Sequence, residues 1–178
     1  PAALLAHPAN EEVMTFVGAE RGLRRLSVTR IEAEHLEPVD GVRAADLAST
    51  VPAGATGNRI LGNYFGIRPG EITSYPNSRG IQIDNGASGN IIGGSASEPT
   101  QRNIIAGNDL SGILLSGANG NFIRGNYIGM SLDTGGNVVA LGNGGPGVEL
   151  SDSANNEVGG TADQRNLIAA NSVGILIS

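Results

Sequence analysis

The sequence predicts an all-β solenoid of about four coils, with short parallel strands stacked coil on coil behind a capping segment of helical character. Three observations predict it. GNRILGNYFG from Gly57 returns as GNFIRGNYIG from Gly120, 63 residues later. GIQIDNGASGNIIGG from Gly80 returns as GVELSDSANNEVGG from Gly147, and QRNIIAGN from Gln101 as QRNLIAAN from Gln164. Apolar residues alternate over runs too short for helices, as in Ile81 and Ile83, Ile113 and Leu115, Val148 and Leu150, Ile175 and Ile177. A period of two bounded by Gly, Asn or Ser marks strands.

Composition divides the chain at residue 57. Residues 57–178 hold 24 of the 28 glycines and 16 of the 17 asparagines. Residues 1–56 therefore read as a cap or leader, and 57–178 as the repeats. In the first segment Asn10, Glu11 and Glu12 open a pattern that places Val13, Phe16, Val17 and Leu23 on one side of a helix. Arg24 and Arg25 fall near its end, where the helix dipole favours cations. LSVTRIEAEHL, residues 26–36, alternates like a strand, and Val51 to Gly57 reads as a Pro/Gly linker. A solenoid end exposes unpaired amides and an apolar interior, so a terminal cap is expected.

Within the repeats, Gly-(Ile/Val)-x-(Ile/Leu) begins at Gly80, Gly112, Gly147 and Gly174, giving coils of 32, 35 and 27 residues. Asn-x-(Ile/Val)-x-(Gly/Ala)-(Asn/Ser/Thr) occurs at Asn58, Asn90, Asn103, Asn121, Asn156 and Asn166. The coil from Gly80 contains three strands: GIQI, NIIGG and RNIIAGN. Asn77, Asn108, Asn143 and Asn171 each close a coil three or four residues before the next marker glycine. Asn tolerates the left-handed corner, and stacked amides can bond along the column, so these four are predicted to form an asparagine ladder. Ile83, Leu115, Leu150 and Ile177 should stack as one wall of an aliphatic interior. The outward columns are then Gln82, Leu114, Glu149, Leu176 and Asp84, Ser116, Ser151, Ser178. The coil begun at Gly174 contains one strand, GILIS. Its edge is expected to be covered by further chain or by another molecule, the sharper form being head-to-tail self-association.

Charge excludes some functions. Eleven Arg and no Lys stand against seventeen acids, a net charge of −6. Residues 57–178 carry six Arg and nine acids, net −3, with the arginines scattered. No basic stripe invites nucleic acid. There is no cysteine, hence no disulfide or thiolate metal site, and no apolar run of membrane-spanning length.

The GNxIxGNYIG and RNxIxGN strings resemble those of bacterial secreted and surface right-handed parallel β-helix proteins, the pectate-lyase-like superfold. The resemblance covers residues 57–178. It implies a right-handed single-stranded β-helix at the cell surface or outside the cell, with polysaccharide or surface-protein partners. It fixes no activity, because the superfold hosts lyases, hydrolases, epimerases, adhesins and spacers.

Candidate chemistry is sparse. Enzymes of this superfold cluster carboxylates on adjacent coils, one to protonate the leaving oxygen and another to activate water or attack. Asp84 and Glu149 are the outward candidates, two coils apart. His7 and His35 fall outside the repeats. Arg102 and Arg165 recur at equivalent positions, which suits a structural arginine better than a catalytic base. The calcium repeat GGxGxDxUx is missing, and SLDTGGN from Ser131 offers Asp133 at most to a weak calcium loop. No metal and no cofactor are expected. Tyr64 and Tyr127, with Gln82 and Asp84, are candidate binding residues, since aromatic faces suit sugar surfaces. The leading expectation is a structural or adhesive solenoid that binds glycans or proteins or self-stacks, without catalysis. The alternative is a polysaccharide lyase or glycoside hydrolase using Asp84 and Glu149.

Overall fold

A computed structural model describes residues 49–51, 54–95 and 97–178 of the chain. The predicted helix from Asn10, the strand-like stretch 26–36, His7 and His35 lie outside the described residues.

The described chain is all-β and built from parallel sheets. The first sheet orders β1 (Ser49–Val51), β4 (Ile81–Asp84), β7 (Ile113–Ser116), β12 (Pro146–Ser151) and β15 (Val173–Ile177). The second contains β2 (Arg59–Ile60), β5 (Ile91–Ile92), β8 (Phe122–Ile123) and β13 (Glu157–Val158). The third contains β3 (Tyr64–Phe65), β6 (Ile104–Ile105), β9 (Tyr127–Ile128) and β14 (Leu167–Ile168). Every pairing inside these sheets is parallel. The chain visits first, second and third sheet in that order, then begins again. One such pass is a circuit. The first sheet already includes Ser49–Val51, inside the segment assigned from sequence to the cap or linker.

Register follows the marker glycines. Ile81 pairs with Ile113, Ile113 with Val148, and Val148 with Ile175, which are the predicted shifts of 32, 35 and 27 residues. Ile83, Leu115, Leu150 and Ile177 share one column as expected, with Ile83, Leu115 and Leu150 in the interior, whereas Ile177 is exposed rather than part of the predicted wall. Inward residues of all three sheets meet in one apolar core, to which Ile92, Ile123, Ile105 and Ile128 contribute from the second and third sheets. The core is aliphatic because parallel register sets like on like, and branched side chains interdigitate well on a pleated surface.

Three asparagine ladders, rather than one, close the corners. Asn77, Asn108, Asn143 and Asn171 form the predicted ladder between the third and first sheets, although none of the four adopts the left-handed backbone expected of a corner Asn; the amide bonds along the column hold them. Asn58, Asn90, Asn121 and Asn156 form another between the first and second. Asn63, Asn103, Asn126 and Asn166 form the third, between the second and third. The bonding rule is constant: backbone N–H and side-chain Nδ2 of one Asn both donate to Oδ1 of the next. Asn90, Asn103, Asn121 and Asn126 are fully buried. Amides can be hidden this way because donors and acceptors are matched along the column.

The 63-residue repeat is a two-circuit repeat, and the third ladder shows why. Its rungs are separated by 40, 23 and 40 residues. The corner from second to third sheet is thus short (61–63), long (93–103), short (124–126), then long (159–166). Each long corner carries a 3-10 turn, Pro99–Gln101 or Ala162–Gln164. The long corners roof the short ones. Gly62 N–H donates to the Gln101 carbonyl at 3.2 Å, and Gly125 N–H to the Gln164 carbonyl at 2.9 Å. A Cβ on Gly125 would meet the Gly94 carbonyl at 2.6 Å. Strict glycine at these corners is a packing requirement.

Two features depart from the sequence reading. SLDTGGN spans the end of one strand and the turn, residues 133–137, of an antiparallel hairpin, β10 (Met130–Leu132) with β11 (Val138–Ala140), standing outside the three sheets. Leu114, assigned to an outward column, is buried, yet it lies outside the apolar core and so keeps its outward side.

Ala170 occupies the left-handed region with φ of 62°, where its repeat counterpart Gly107 has φ of 69°. A Cβ there is strained, so Ala170→Gly is expected to stabilise the fold by about 0.5–1 kcal/mol, after the unfolded-state entropy of glycine is subtracted. A rise in the urea midpoint at unchanged m-value checks it.

Candidate functional site

The outward face of the first sheet carries the predicted carboxylates. Gln82 aligns with Leu114 and Leu114 with Glu149, while Asp84 aligns with Ser116 and Ser116 with Ser151. Asp84 and Glu149 are therefore two strands and two residues apart. Strand spacing and rise separate them by about 12 Å, beyond the roughly 6.5–9.5 Å of an inverting pair. Gln82 Nε2 also donates to both Asp84 oxygens, at 3.0 and 2.9 Å. The sheet brings Gln82 and Asp84 together and keeps Glu149 away.

Tyr64 and Tyr127 project from the third sheet with Ile104 between them, each tyrosine one strand from it. About 9.6 Å of sheet separates the two rings, twice the strand spacing. Ile104 is buried in a second apolar cluster with Ile67 and Ala106, against which Tyr64, Tyr127, Leu132 and Leu141 pack. The cluster arises because the 67–75 segment and the β10–β11 hairpin lie over this face, tied by Ser131 Oγ donating to the Glu71 carbonyl at 2.9 Å. Arg102 stacks 4.2 Å from the Tyr127 ring centre, which explains the arginine before Asn103 as a packing partner. Its repeat mate Arg165 is exposed.

An arrangement that sequence reasoning missed lies on the second sheet. Arg124 stacks 4.3 Å over Phe122 and its Nη2 approaches Glu157 Oε1 at 2.8 Å. Phe122 and Glu157 are register neighbours, so the arginine spans two circuits. In the double repeat Arg124 stands where the first copy has Leu61, which hid it from a search for recurring residues. Another link crosses the long corners. Ser97 N–H and Oγ donate to Asp163 at 3.0 Å each, and Ser95 Oγ joins them. The Ser95 and Ser97 hydrogen bonds hold the exposed Asp163 carboxyl below its ordinary pKa.

Asp133 organises the hairpin turn. Its Oδ1 accepts from the N–H groups of Gly135 and Asn137, both at 2.8 Å, and the Asn137 side chain donates to both oxygens. These bonds to Asn137 and Gly135 lower its pKa. The carboxylate that sequence offered to a calcium loop is thus engaged by its own turn. Among the described residues no three His, Cys, Asp or Glu side chains gather to hold a metal ion, and no helix is long and apolar enough to cross a membrane.

These outward faces can present a fixed pattern of side chains. Parallel register spaces like positions evenly, and the paired backbone holds them. Comparison of the chain with protein-family models, with curated proteins and with solved structures finds no match to any of them.

Proposed function

We propose that the chain is a right-handed single-stranded parallel β-helix of the pectate-lyase-like kind. It acts as a rigid structural or adhesive solenoid at a bacterial surface or outside the cell. Its long faces bind glycan or protein partners without turning them over. Right-handedness follows from the general rule for crossovers between parallel strands. The constant order of the three sheets supports the helical path.

The observation that carries this reading is the set of three asparagine ladders, which lock each circuit to the next and need no ligand to do so. A scaffold built this way is stiff along its axis, and its outer chemistry varies from sheet to sheet: the first sheet carries Gln82, Leu114, Glu149 and Leu176 in one column, the second Arg59, Ile91, Phe122 and Glu157. The separation of Asp84 from Glu149, and the Gln82 amide on Asp84, support a non-catalytic face.

Incubation of the full chain with a panel of neutral and acidic polysaccharides tests it, following both retention on the polymer and release of new ends. Retention of at least one polymer without release is expected, with Asp84→Asn behaving as the parent. Release of new ends that disappears in Asp84→Asn would replace this reading by an enzymatic one.

A further inference from the structure

The chain contains three Asn-Gly pairs: Asn85–Gly86, Asn119–Gly120 and Asn143–Gly144. Such pairs are the chemically weakest asparagines of a protein, since glycine leaves its own nitrogen unhindered. In deamidation the glycine amide nitrogen loses its proton and attacks the asparagine Cγ. The Cγ–Nδ2 bond breaks and ammonia leaves, carrying that proton. Water then opens the resulting succinimide to aspartate or isoaspartate.

Each step needs an atom that the fold can hold. At Asn143–Gly144 all of them are held. The nucleophile, Gly144 N–H, donates to the Asn108 carbonyl at 2.8 Å. The carbonyl under attack accepts at Oδ1 from Asn108 N–H and Nδ2, at 3.1 and 2.8 Å. The leaving group Nδ2 donates to the Ile105 carbonyl at 3.1 Å and to Asn171 Oδ1 at 2.8 Å. Asn143 is 3% exposed.

The other two pairs are held less. At Asn119 the nucleophile Gly120 N–H donates to the Ala154 carbonyl at 3.1 Å, and Oδ1 accepts from Ala154 N–H at 2.6 Å, while Nδ2 has no partner among the described residues. At Asn85 the Gly86 N–H donates to the Gly117 carbonyl at 2.7 Å. Its side-chain amide makes no hydrogen bond among the described residues, and the residue is exposed.

We infer that Asn143–Gly144 is a deamidation site gated by opening of its circuit, and that reaction there prevents the circuit from closing again. The product explains the irreversibility. An aspartate at 143 keeps the acceptor toward Asn108, but its second oxygen faces the Ile105 carbonyl and Asn171 Oδ1, two acceptors, in a buried site. Isoaspartate also lengthens the backbone at a corner whose ladder spacing is fixed. Asn85 belongs to no ladder, so its conversion leaves the stack intact. Between Asn85 and Asn143, ease of reaction and damage done thus run in opposite order.

Peptide mapping of the full chain at 37 °C and mildly alkaline pH, folded and in urea, reads the series. In urea the three sites are expected to deamidate at similar rates. In the folded protein Asn85 should react first, Asn119 next and Asn143 last, with Asn143 slowed about tenfold or more relative to urea, as its opening equilibrium dictates. Asn143→Asp should lower the thermal midpoint by about 8 °C or more, and Asn85→Asp by less than about 2 °C. Similar folded rates at Asn85 and Asn143 would overturn the gating. An unchanged midpoint in Asn143→Asp would overturn the irreversibility.

Discussion

Asn126→Ala is expected to lower the unfolding free energy by about 4 kcal/mol, whereas Asn58→Ala in a neighbouring ladder should lower it by about 1 kcal/mol. Asn126 is fully buried. Its Oδ1 accepts from Asn103 N–H and Nδ2, and its Nδ2 donates to the Ile92 carbonyl at 2.9 Å and to Asn166 Oδ1 at 3.0 Å. Truncation strands two donors on Asn103 and thins the supply to two acceptors, all away from water. Each buried group left unpaired costs about 1–3 kcal/mol, and neighbours in one network do not add in full, so the lower part of the summed range applies. Asn58 donates to Asn90 Oδ1 from N–H and Nδ2, and the N–H survives truncation. Urea unfolding of both variants at constant m-value decides the matter. Equal losses would mean that the ladder is decoration on a stack held by its apolar core alone.

Much of this was legible in the residues. The marker glycines gave the register of the first sheet, because parallel strands set identical positions side by side and the apolar alternation survives every insertion. The ladder at Asn77, Asn108, Asn143 and Asn171 was legible because each Asn sits three or four residues before that marker. The third ladder was hidden. Its members recur at 40, 23 and 40 residues, since long and short corners alternate, and Asn63 and Asn126 sit inside GNY strings where each reads as the tail of the preceding unit. Column membership is set by which strand follows each asparagine, and spacing alone does not reveal it. The hairpin was missed because Met130–Leu132 and Val138–Ala140 are short and fall outside the repeat. Alternation about Asp133 and two glycines was the available signal. On the outer faces, Gln82 and Asp84 were correctly placed on one side of a strand. Arg124 stacked on Phe122 was not found, because a residue that breaks the repeat leaves no periodic trace.

Gly93→Ala should be as damaging as loss of an interior rung, about 4 kcal/mol, although it adds a single methyl group. Gly93 follows β5 with φ of 79°, a left-handed backbone that costs an L-residue about 1–2 kcal/mol. That term is shared by Gly86, which has φ of 78° but open space around its Cβ position. At Gly93 the added carbon would overlap the Arg124 carbonyl and Asn126 Oδ1, the atom that receives the Asn103 donors. Backbone and ladder cannot both give way, since Gly93 N–H donates to the Ile60 carbonyl at 2.8 Å and Arg124 N–H to the Ile92 carbonyl at 2.9 Å. Gly86→Ala is therefore the control, with an expected loss of about 1 kcal/mol. A difference between the two variants of about 3 kcal/mol in urea unfolding isolates the close approach of corner to ladder. A difference near zero would show that circuits slide apart enough to admit a methyl, and the tight stacking that makes asparagine and glycine recur together would lose its explanation.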